Sequence, residues 1–196
     1  MRDAGQASLA YFYFDFRDKD KKQDFRNFVT SLLVQLSAYS SQCCQIISRI
    51  YLAHGEGMDQ PSNTVLTNCL REMLLVDAQR PIYIIVDGLD ECPNFDNRPD
   101  SGMSTPREIV LDLLENLVRL DLPNLHMCLT SRPEIDIEMA LKRLPHSAVS
   151  LHNEIGQKKD IADYVRGVAY SNKMWRLREA EKELVIEELS NKADGM

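Results

Sequence analysis

The sequence of 196 residues has no excess of positive charge. Its 23 Lys and Arg residues are outnumbered by 30 Asp and Glu residues, and the formal net charge is −7. Proteins that bind DNA or RNA as their main function usually present a broad basic surface, so the composition predicts no nucleic-acid partner. The sequence also lacks an apolar run near the roughly 18–20 residues that span a bilayer, which predicts no membrane partner.

Cysteine is scarce and follows no pattern. The five cysteines are odd in number and include no C-x-x-C pair, which argues against a disulfide framework and against a zinc site. The aromatic stretch near the N-terminus is not followed by the small-residue cleavage site of a signal peptide. We therefore expect a protein of the reducing cytoplasm.

The overall composition is that of an ordinary globular domain. Hydrophobic residues make up 44% of the chain and charged residues 27%, which excludes a disordered or low-complexity segment. A chain of this length can bury a sizeable core without metals or disulfides, and the length is typical of one domain.

Three apolar runs predict β-strands: Leu9–Phe14, Ile82–Val86 and Leu125–Leu129, with Ala148–Leu151 as a shorter fourth candidate. The second run is apolar at every position, which predicts a strand that is buried on both faces of a sheet. Between the runs, apolar residues recur at spacings of three and four, which is typical of amphipathic helices. Alternation of strands with helices predicts an α/β fold with a mainly parallel sheet.

Three carboxylates follow the second predicted strand, in the segment IYIIVDGLDECP. Asp87 comes directly after the strand, and open α/β sheets bind ligands beyond the carboxyl ends of their strands. A charge beside a dry strand is costly unless it has a partner, and Mg²⁺ suits a carboxylate. Asp90 and Glu91 would then orient a water for attack on a phosphate. The alternative is a capped strand end with surface acids.

A hydroxyl and a guanidinium follow the third predicted strand, Leu125–Leu129. If the two strands are neighbours, Thr130 and Arg132 emerge on the same edge as Asp87. Arginine carries a permanent charge and a planar fork of donors, so this pair can bind a phosphate. The alternative is that Arg132 pairs with a local acid such as Glu134.

Five segments together resemble a known family. In chain order they are LAYFYFDFRDKDKKQDFRNFVTSLLVQLS, IYIIVDGLDECP, LHMCLTSRPEIDIEMALKRL, DIADYV and LSNKADGM. Their order and intervals resemble the NACHT domain of fungal STAND-class P-loop NTPases, a family that includes heterokaryon-incompatibility and nephrocystin-like signalling proteins. The resemblance extends from about Leu9 to Met196.

The resemblance implies a fold and a division of the chain. It implies a three-layer, P-loop NTPase-type α/β fold with a mainly parallel sheet that is incomplete, in residues 1–155. Residues 156–196 would begin a C-terminal helical region. Intact members bind ATP or GTP with Mg²⁺ and use the nucleotide state to control oligomerisation and signalling, usually with C-terminal repeats as the sensor.

The resemblance also assigns site residues. Asp87 matches the Walker B aspartate that holds magnesium, and Asp90 and Glu91 match the acidic pair of the extended Walker B motif. Arg132, within the segment TSRP, matches the sensor 1 arginine. The resemblance thus gives Asp90, Glu91 and Arg132 catalytic roles and makes Asp87 the ligand of Mg²⁺. With the hydroxyl of Thr130 after the third strand, we expect Asp87, Thr130 and Arg132 to contact the Mg²⁺–nucleotide.

One part of the family pattern is missing from this sequence. A phosphate-binding loop requires G-x-x-x-x-G-K-[ST], and none of the eight glycines is followed by lysine. The resemblance places that loop upstream of Met1, so we expect an internal piece of a NACHT module that carries the Mg²⁺ and hydrolysis half of the site. We expect this piece to bind no nucleotide by itself and to associate with other copies through an uncovered sheet edge and apolar face.

Two other functions stay open. The missing loop is also typical of a nucleotide-independent scaffold, derived from a NACHT domain, that pairs with protein partners. A different Mg²⁺-dependent phosphoryl-transfer enzyme could use the same three carboxylates, but no nucleophilic D-x-D or catalytic-lysine pattern accompanies them.

Overall fold

A computed structural model of the chain describes residues 7–18, 23–76, 80–94, 104–145, 147–149, 155–171, 174 and 177–192. The chain divides into two compact units, Met1–Pro145 and His146–Met196. The domain boundary that the resemblance implies, after residue 155, stays a prediction.

Strands and helices alternate along the first unit, as the hydrophobic pattern predicts. Its described elements are β1 (Ser8–Tyr13), α1 (Phe25–Ser37), α2 (Ser41–Ala53), α3 (Asn63–Val76), β2 (Ile82–Asp87), α4 (Pro106–Val118), β3 (Leu125–Leu129) and α5 (Ile135–Leu141). Short 3₁₀ turns follow α2 at Gly55–Gly57 and β2 at Leu89–Glu91. The predicted α/β class is confirmed.

The three strands form one parallel sheet in the order β1-β2-β3. The register pairs Tyr13 with Asp87 and Val86 with Leu129. All three strands therefore end at one edge of the sheet, and the segments that follow them lie next to one another. This edge is where an open parallel sheet binds ligands.

The core lies between the sheet and the helices. Helix α1 begins after Asp24, whose side chain accepts a hydrogen bond from the N–H of Asn27 and caps the helix. The rings of Phe12 on β1 and Phe28 on α1 meet edge to face, with centroids 5.3 Å apart. The buried face of α1 consists of Phe25, Phe28, Val29, Leu32, Leu33 and Leu36, which are the positions that the helical spacing predicts.

Strand β2 is buried on one face only. Ile82, Ile84 and Val86 are buried, whereas Tyr83 and Ile85 are 39% and 37% exposed. The prediction of burial on both faces is wrong, and the reason is topological. Because the strands follow one another in sheet order, right-handed crossovers place both sets of connecting helices on the same face.

The opposite face of the sheet is accessible, and we call it the open face. Its exposed side chains are Tyr11, Tyr13, Tyr83, Ile85, His126 and Cys128. The rings of Tyr83 and His126 stack on this face, with centroids 5.0 Å apart. A three-layer fold would add helices here, and none of the described segments of the first unit supplies them.

The second unit contains two described helices, α6 (Ile155–Ala169) and α7 (Glu179–Lys192), which pack against each other. Ala169 and Ile186 are buried between them. Ala148 and Val149 are exposed and lie outside regular secondary structure, so these two residues form no strand; Ser150 and Leu151 lie outside the described residues. In the described part of the chain, no helix is long and apolar enough to cross a membrane.

Candidate functional site

The ends of β2 and β3 meet at the carboxyl edge of the sheet. The N–H of Thr130 donates to the carbonyl of Val86 at 2.9 Å, and the N–H of Leu89 donates to the carbonyl of Thr130 at 3.0 Å. Strand pairing therefore continues past β3 and brings the turn after β2 against the segment after β3. We call residues 87–91 and 130–132 together the carboxyl-edge site.

Asp87 and Thr130 are joined directly. The Thr130 hydroxyl donates a hydrogen bond to Oδ1 of Asp87 and accepts one from the N–H of Gly88 at 3.1 Å. Asp87 continues the alternation of Tyr83 and Ile85 and is exposed. The idea that Asp87 lies beside a dry strand is therefore wrong: its carboxylate is exposed, accepts a hydrogen bond from the Thr130 hydroxyl and stays accessible to a ligand.

Gly88 makes the turn after β2 possible. Its φ of 67° and ψ of 42° lie in the left-handed region, which residues with a side chain adopt at a cost. A Cβ at this position would also lie 3.3 Å from the carbonyl oxygen of Phe14. The turn directs Leu89 into the core, where it is fully buried, and leaves Asp90 and Glu91 at the rim.

Asp90 faces the segment after β3. Its Oδ1 accepts a hydrogen bond from the backbone N–H of Arg132 at 3.0 Å, and its Oδ2 lies 3.6 Å from Nε of Arg132. The Asp90 side chain is 11% exposed, whereas that of Arg132 is 77% exposed. The structure therefore pairs Arg132 with Asp90, not with Glu134, and the guanidinium stays accessible to an anion.

Glu91 faces the other way, toward the end of β1. Its Oε2 accepts a hydrogen bond from the N–H of Phe16 at 3.0 Å. Asp87, Asp90 and Glu91 thus do not converge, and no cluster of three or more His, Cys, Asp or Glu side chains suited to a metal occurs within the described ranges. The site offers a cation one carboxylate, Asp87. Mg²⁺ is commonly held this way, with waters and phosphate oxygens as its other ligands.

Arg107 is a residue of this region that sequence reasoning missed. It lies in the first turn of α4 and is only 7% exposed. Its guanidinium donates to the carbonyls of Cys92 and Asp90 and to the carboxylate of Asp136. A signal was present, because Arg107 lies three and four residues before Val110 and Leu111, so it belongs to the buried face of the helix.

The start of α4 is set by its own residues. The Thr105 hydroxyl accepts from the N–H of Glu108 at 3.2 Å, and the Glu108 carboxylate accepts from the N–H of Thr105 at 2.7 Å. This reciprocal pair is a capping box, and Pro106 at the first helical position strengthens it. The N–H of Arg107 donates to the carbonyl of Pro93 at 3.0 Å, so α4 begins directly beside the turn.

One known protein family matches the part of the chain that contains the carboxyl-edge site. The family described as nephrocystin 3, N-terminal, matches residues 1–132, which is more than half of the chain. The chain belongs to the nephrocystin 3 N-terminal family. The match covers all three strands and reaches Arg132. No curated protein and no solved structure matches the chain.

Membership of the nephrocystin 3 N-terminal family relates this chain to NACHT proteins. It supports the sequence resemblance as a relation to NACHT proteins in general. The assignment to fungal STAND proteins and the binding of a nucleotide stay predictions.

One cysteine of this family member borders the site without taking part in its chemistry. Cys92 follows the turn that carries Asp90 and Glu91, and it is fully buried. Burial raises the pKa of its thiol to about 12. Since the thiolate is the nucleophile and the metal ligand, Cys92 supplies neither at neutral pH.

Proposed function

We propose that this chain supplies the Mg²⁺ and hydrolysis half of a NACHT-type signalling switch controlled by ATP or GTP. The observation that carries the proposal is the direct junction of Asp87 and Thr130 at the ends of adjacent parallel strands, with Arg132 on the same edge. Family membership supports the signalling context at the coarse level.

The proposal gives each residue a role that its surroundings allow. Asp87 holds Mg²⁺ through an exposed carboxylate that Thr130 orients, and Arg132 binds the terminal phosphate through its exposed guanidinium. Asp90 and Glu91 orient the attacking water once the phosphate draws Arg132 away from Asp90. The Asp90–Arg132 pair is then the resting arrangement of the site.

The three described strands supply only part of a nucleotide crevice. Such crevices form where the strand order reverses, and the order β1-β2-β3 contains no reversal. The phosphate-cradling loop would come from other sequence, and in the proposed switch a C-terminal repeat sensor would respond to ligand.

A paramagnetic ion tests the role of Asp87 in this chain as it stands. Mn²⁺ replaces Mg²⁺ at oxygen sites and broadens the NMR signals of nearby amides. We expect titration with Mn²⁺ to broaden the amide signals of Gly88, Leu89 and Thr130 selectively, and Asp87→Asn to abolish this. Asp112→Asn removes an exposed carboxylate from α4 and serves as the control that keeps the response. Broadening that survives Asp87→Asn contradicts the assignment.

A second function, a nucleotide-independent scaffold, is favoured by the open face. Three tyrosines and Ile85 are exposed there on one surface, and such surfaces mark contacts between proteins. A natural chain that carries both this region and a G-x-x-x-x-G-K-[ST] loop separates the two functions. If the chain is a switch, the parent protein should show Mg²⁺-dependent hydrolysis that Asp87→Asn abolishes and Asp112→Asn spares. If it is a scaffold, neither the parent protein nor either variant should hydrolyse nucleotide.

A further inference from the structure

Arg107 is the one charged side chain that is buried among the described residues. Burial of a guanidinium is costly unless its donors are satisfied. Nε donates to the carbonyl of Cys92 at 2.9 Å, Nη2 donates to the carbonyl of Asp90 at 2.5 Å, and Nη1 lies 3.1 Å from Oδ2 of Asp136. The planar fork thus joins two carbonyls of the acidic turn to a carboxylate of α5.

These bonds surround the segment that carries Arg132. On one side, Arg107 holds the backbone of Asp90, whose carboxylate accepts from the N–H of Arg132. On the other side, it holds Asp136 in the first turn of α5, four residues after Arg132. Arg132 therefore lies between two points that the same guanidinium fixes.

Only arginine can hold both points at once. Its donors form a rigid fork, whereas the lysine ammonium is a compact point charge on a flexible stem. Hydrogen bonds of a charged group to a carboxylate are about twice as strong as neutral ones. A lysine at this position can satisfy the buried charge against Asp136 or against a carbonyl, but it cannot tie the turn to α5 in the same way.

We propose that Arg107 is a positioning residue that couples the acidic turn to α5 and so places Arg132 at the carboxyl edge. A movement of Arg132 toward a phosphate is transmitted through this coupling to α5. The phosphate as the cause of that movement rests on the proposed function; the coupling itself does not.

Amide hydrogen exchange on the full chain tests the coupling without nucleotide or metal. Asp136→Asn removes the charge that α5 offers to Arg107. We expect it to speed exchange of the Arg132 amide about tenfold, the effect of losing a charged hydrogen bond, although the hydrogen bond of that amide is to Asp90. Exchange of the Glu138 amide on α5 rises with it, while the Ile84 amide in the centre of β2 changes less than about twofold.

Arg107→Lys separates positioning from simple burial of a charge. We expect this variant to keep most of the thermal stability but to exchange the Arg132 amide as fast as Asp136→Asn does. In the Arg107→Lys background, Asp136→Asn should add nothing further, because the connection is already broken. Glu115→Gln, which removes the acidic partner of Arg119 on the same helix, is the control and leaves the Arg132 amide unchanged.

Two results overturn the proposal. One is an unchanged Arg132 amide in Asp136→Asn; the other is an equal rise at Arg132 and Ile84, which indicates general loosening. If Arg107→Lys does not fold, Asp136→Asn alone still gives one of these answers. Since the Mn²⁺ titration depends on Asp87 and this experiment does not, failure of the proposed function and failure of the coupling give different patterns.

Discussion

The carboxylate of Glu91 accepts a hydrogen bond from the backbone N–H of Phe16, with Oε2 3.0 Å from the nitrogen. Glu91 ends the turn after β2, and Phe16 follows β1, the neighbouring parallel strand. The bond therefore fastens the ends of two adjacent strands at the edge where the candidate site lies. Glu91, to which the resemblance gives a role in hydrolysis, thus also makes a structural contact.

This contact predicts different effects for two substitutions of Glu91. Glu91→Gln keeps an oxygen acceptor for Phe16 and should change the free energy of unfolding by less than about 0.5 kcal/mol, whereas Glu91→Ala should lower it by about 1 kcal/mol. Urea unfolding followed by circular dichroism measures both. Equal losses in the two variants would show that the hydrogen bond adds no stability.

The same pair of variants separates the structural role from the proposed chemical one. In a chain that also carries a phosphate-binding loop, Glu91→Gln should slow hydrolysis and leave nucleotide affinity unchanged, because a group that orients water acts mainly in the transition state. Arg132→Ala should weaken binding of the triphosphate more than that of the diphosphate. Isothermal titration with both nucleotides, next to a hydrolysis assay, shows whether this distinction holds.

Gly88→Ala should destabilise the first unit. The backbone of Gly88 has a φ of 67°, and a Cβ there would lie 3.3 Å from the carbonyl oxygen of Phe14. A left-handed alanine costs roughly 1–2 kcal/mol before any clash, so the urea midpoint should fall accordingly. Gly167→Ala is the matched control. Apart from the adjacent residues and the backbone of α6 itself, nothing lies within 4 Å of the added Cβ, and the change should stabilise that helix by about 0.5–1 kcal/mol.

The sequence predicted a parallel sheet and, on the condition that the second and third strands are neighbours, the emergence of Asp87 and Thr130 on one edge. Both follow from apolar runs and from the rule that parallel strands end at one edge. It could not predict the exposure of Tyr83 and Ile85, because an apolar residue shows that burial is favourable and not that a layer covers it. Only the sheet order reveals that both crossovers use the same face.

The sequence also could not predict in which directions the side chains of Asp90 and Glu91 point. Asp90 and Glu91 are adjacent and chemically alike, and the left-handed Gly88 decides that one faces Arg132 and the other Phe16. Arg107 was missed because a charged residue in an amphipathic pattern is normally assigned to the solvent side. Its partners are two backbone carbonyls and Asp136, and a pattern of side-chain polarity does not reveal such partners.

Alkaline pH should destabilise the protein through its buried thiols. Burial raises the pKa of Cys92 from 9.0 to about 12 and that of Cys69 from 9.0 to about 11. Since the unfolded chain loses these protons first, the stability that they contribute is complete below pH 9 and is lost as the pH rises through the folded pKa. The loss is at most roughly 1.4 kcal/mol per pH unit for each thiol.

Urea unfolding at pH 8 and pH 10.5 measures this loss. Cys92→Ala should show a shallower fall in the unfolding free energy between the two pH values, even if it is less stable at pH 8. Cys128→Ala, which removes an exposed thiol, should show the fall of the original protein. Lysine and tyrosine titrations are common to all three proteins and cancel in the comparison.

The 196-residue chain should bind neither Mg²⁺–ATP nor Mg²⁺–GTP at micromolar concentration. Asp87 and Arg132 can offer a ligand only exposed ion pairs, and each such pair contributes roughly 0–1 kcal/mol. Micromolar affinity requires about 8 kcal/mol. Isothermal titration with each nucleotide measures this. Micromolar binding by either nucleotide would reveal a phosphate-binding element in the chain that its sequence does not show.

The chain should also associate with itself at moderate concentration. The open face carries exposed tyrosines, and β3 pairs with one strand only among those described. Ile85→Lys places a charge in the centre of this face and should shift light scattering toward the monomer. Val34→Lys, at an exposed position of α1, should leave the scattering unchanged. A monomeric original protein contradicts the prediction.

The way α4 begins has a consequence for the engineering of this region. The N–H of Arg107 is bonded to the carbonyl of Pro93, and the capping box defines the first helical turn independently. Both ends of the intervening stretch are thus anchored by bonds that do not involve residues 95–103. We therefore expect a fluorescent tag inserted between Asn94 and Ser104 to leave Asp90 and Arg107 in place, because the bonds that position them lie outside the insertion point.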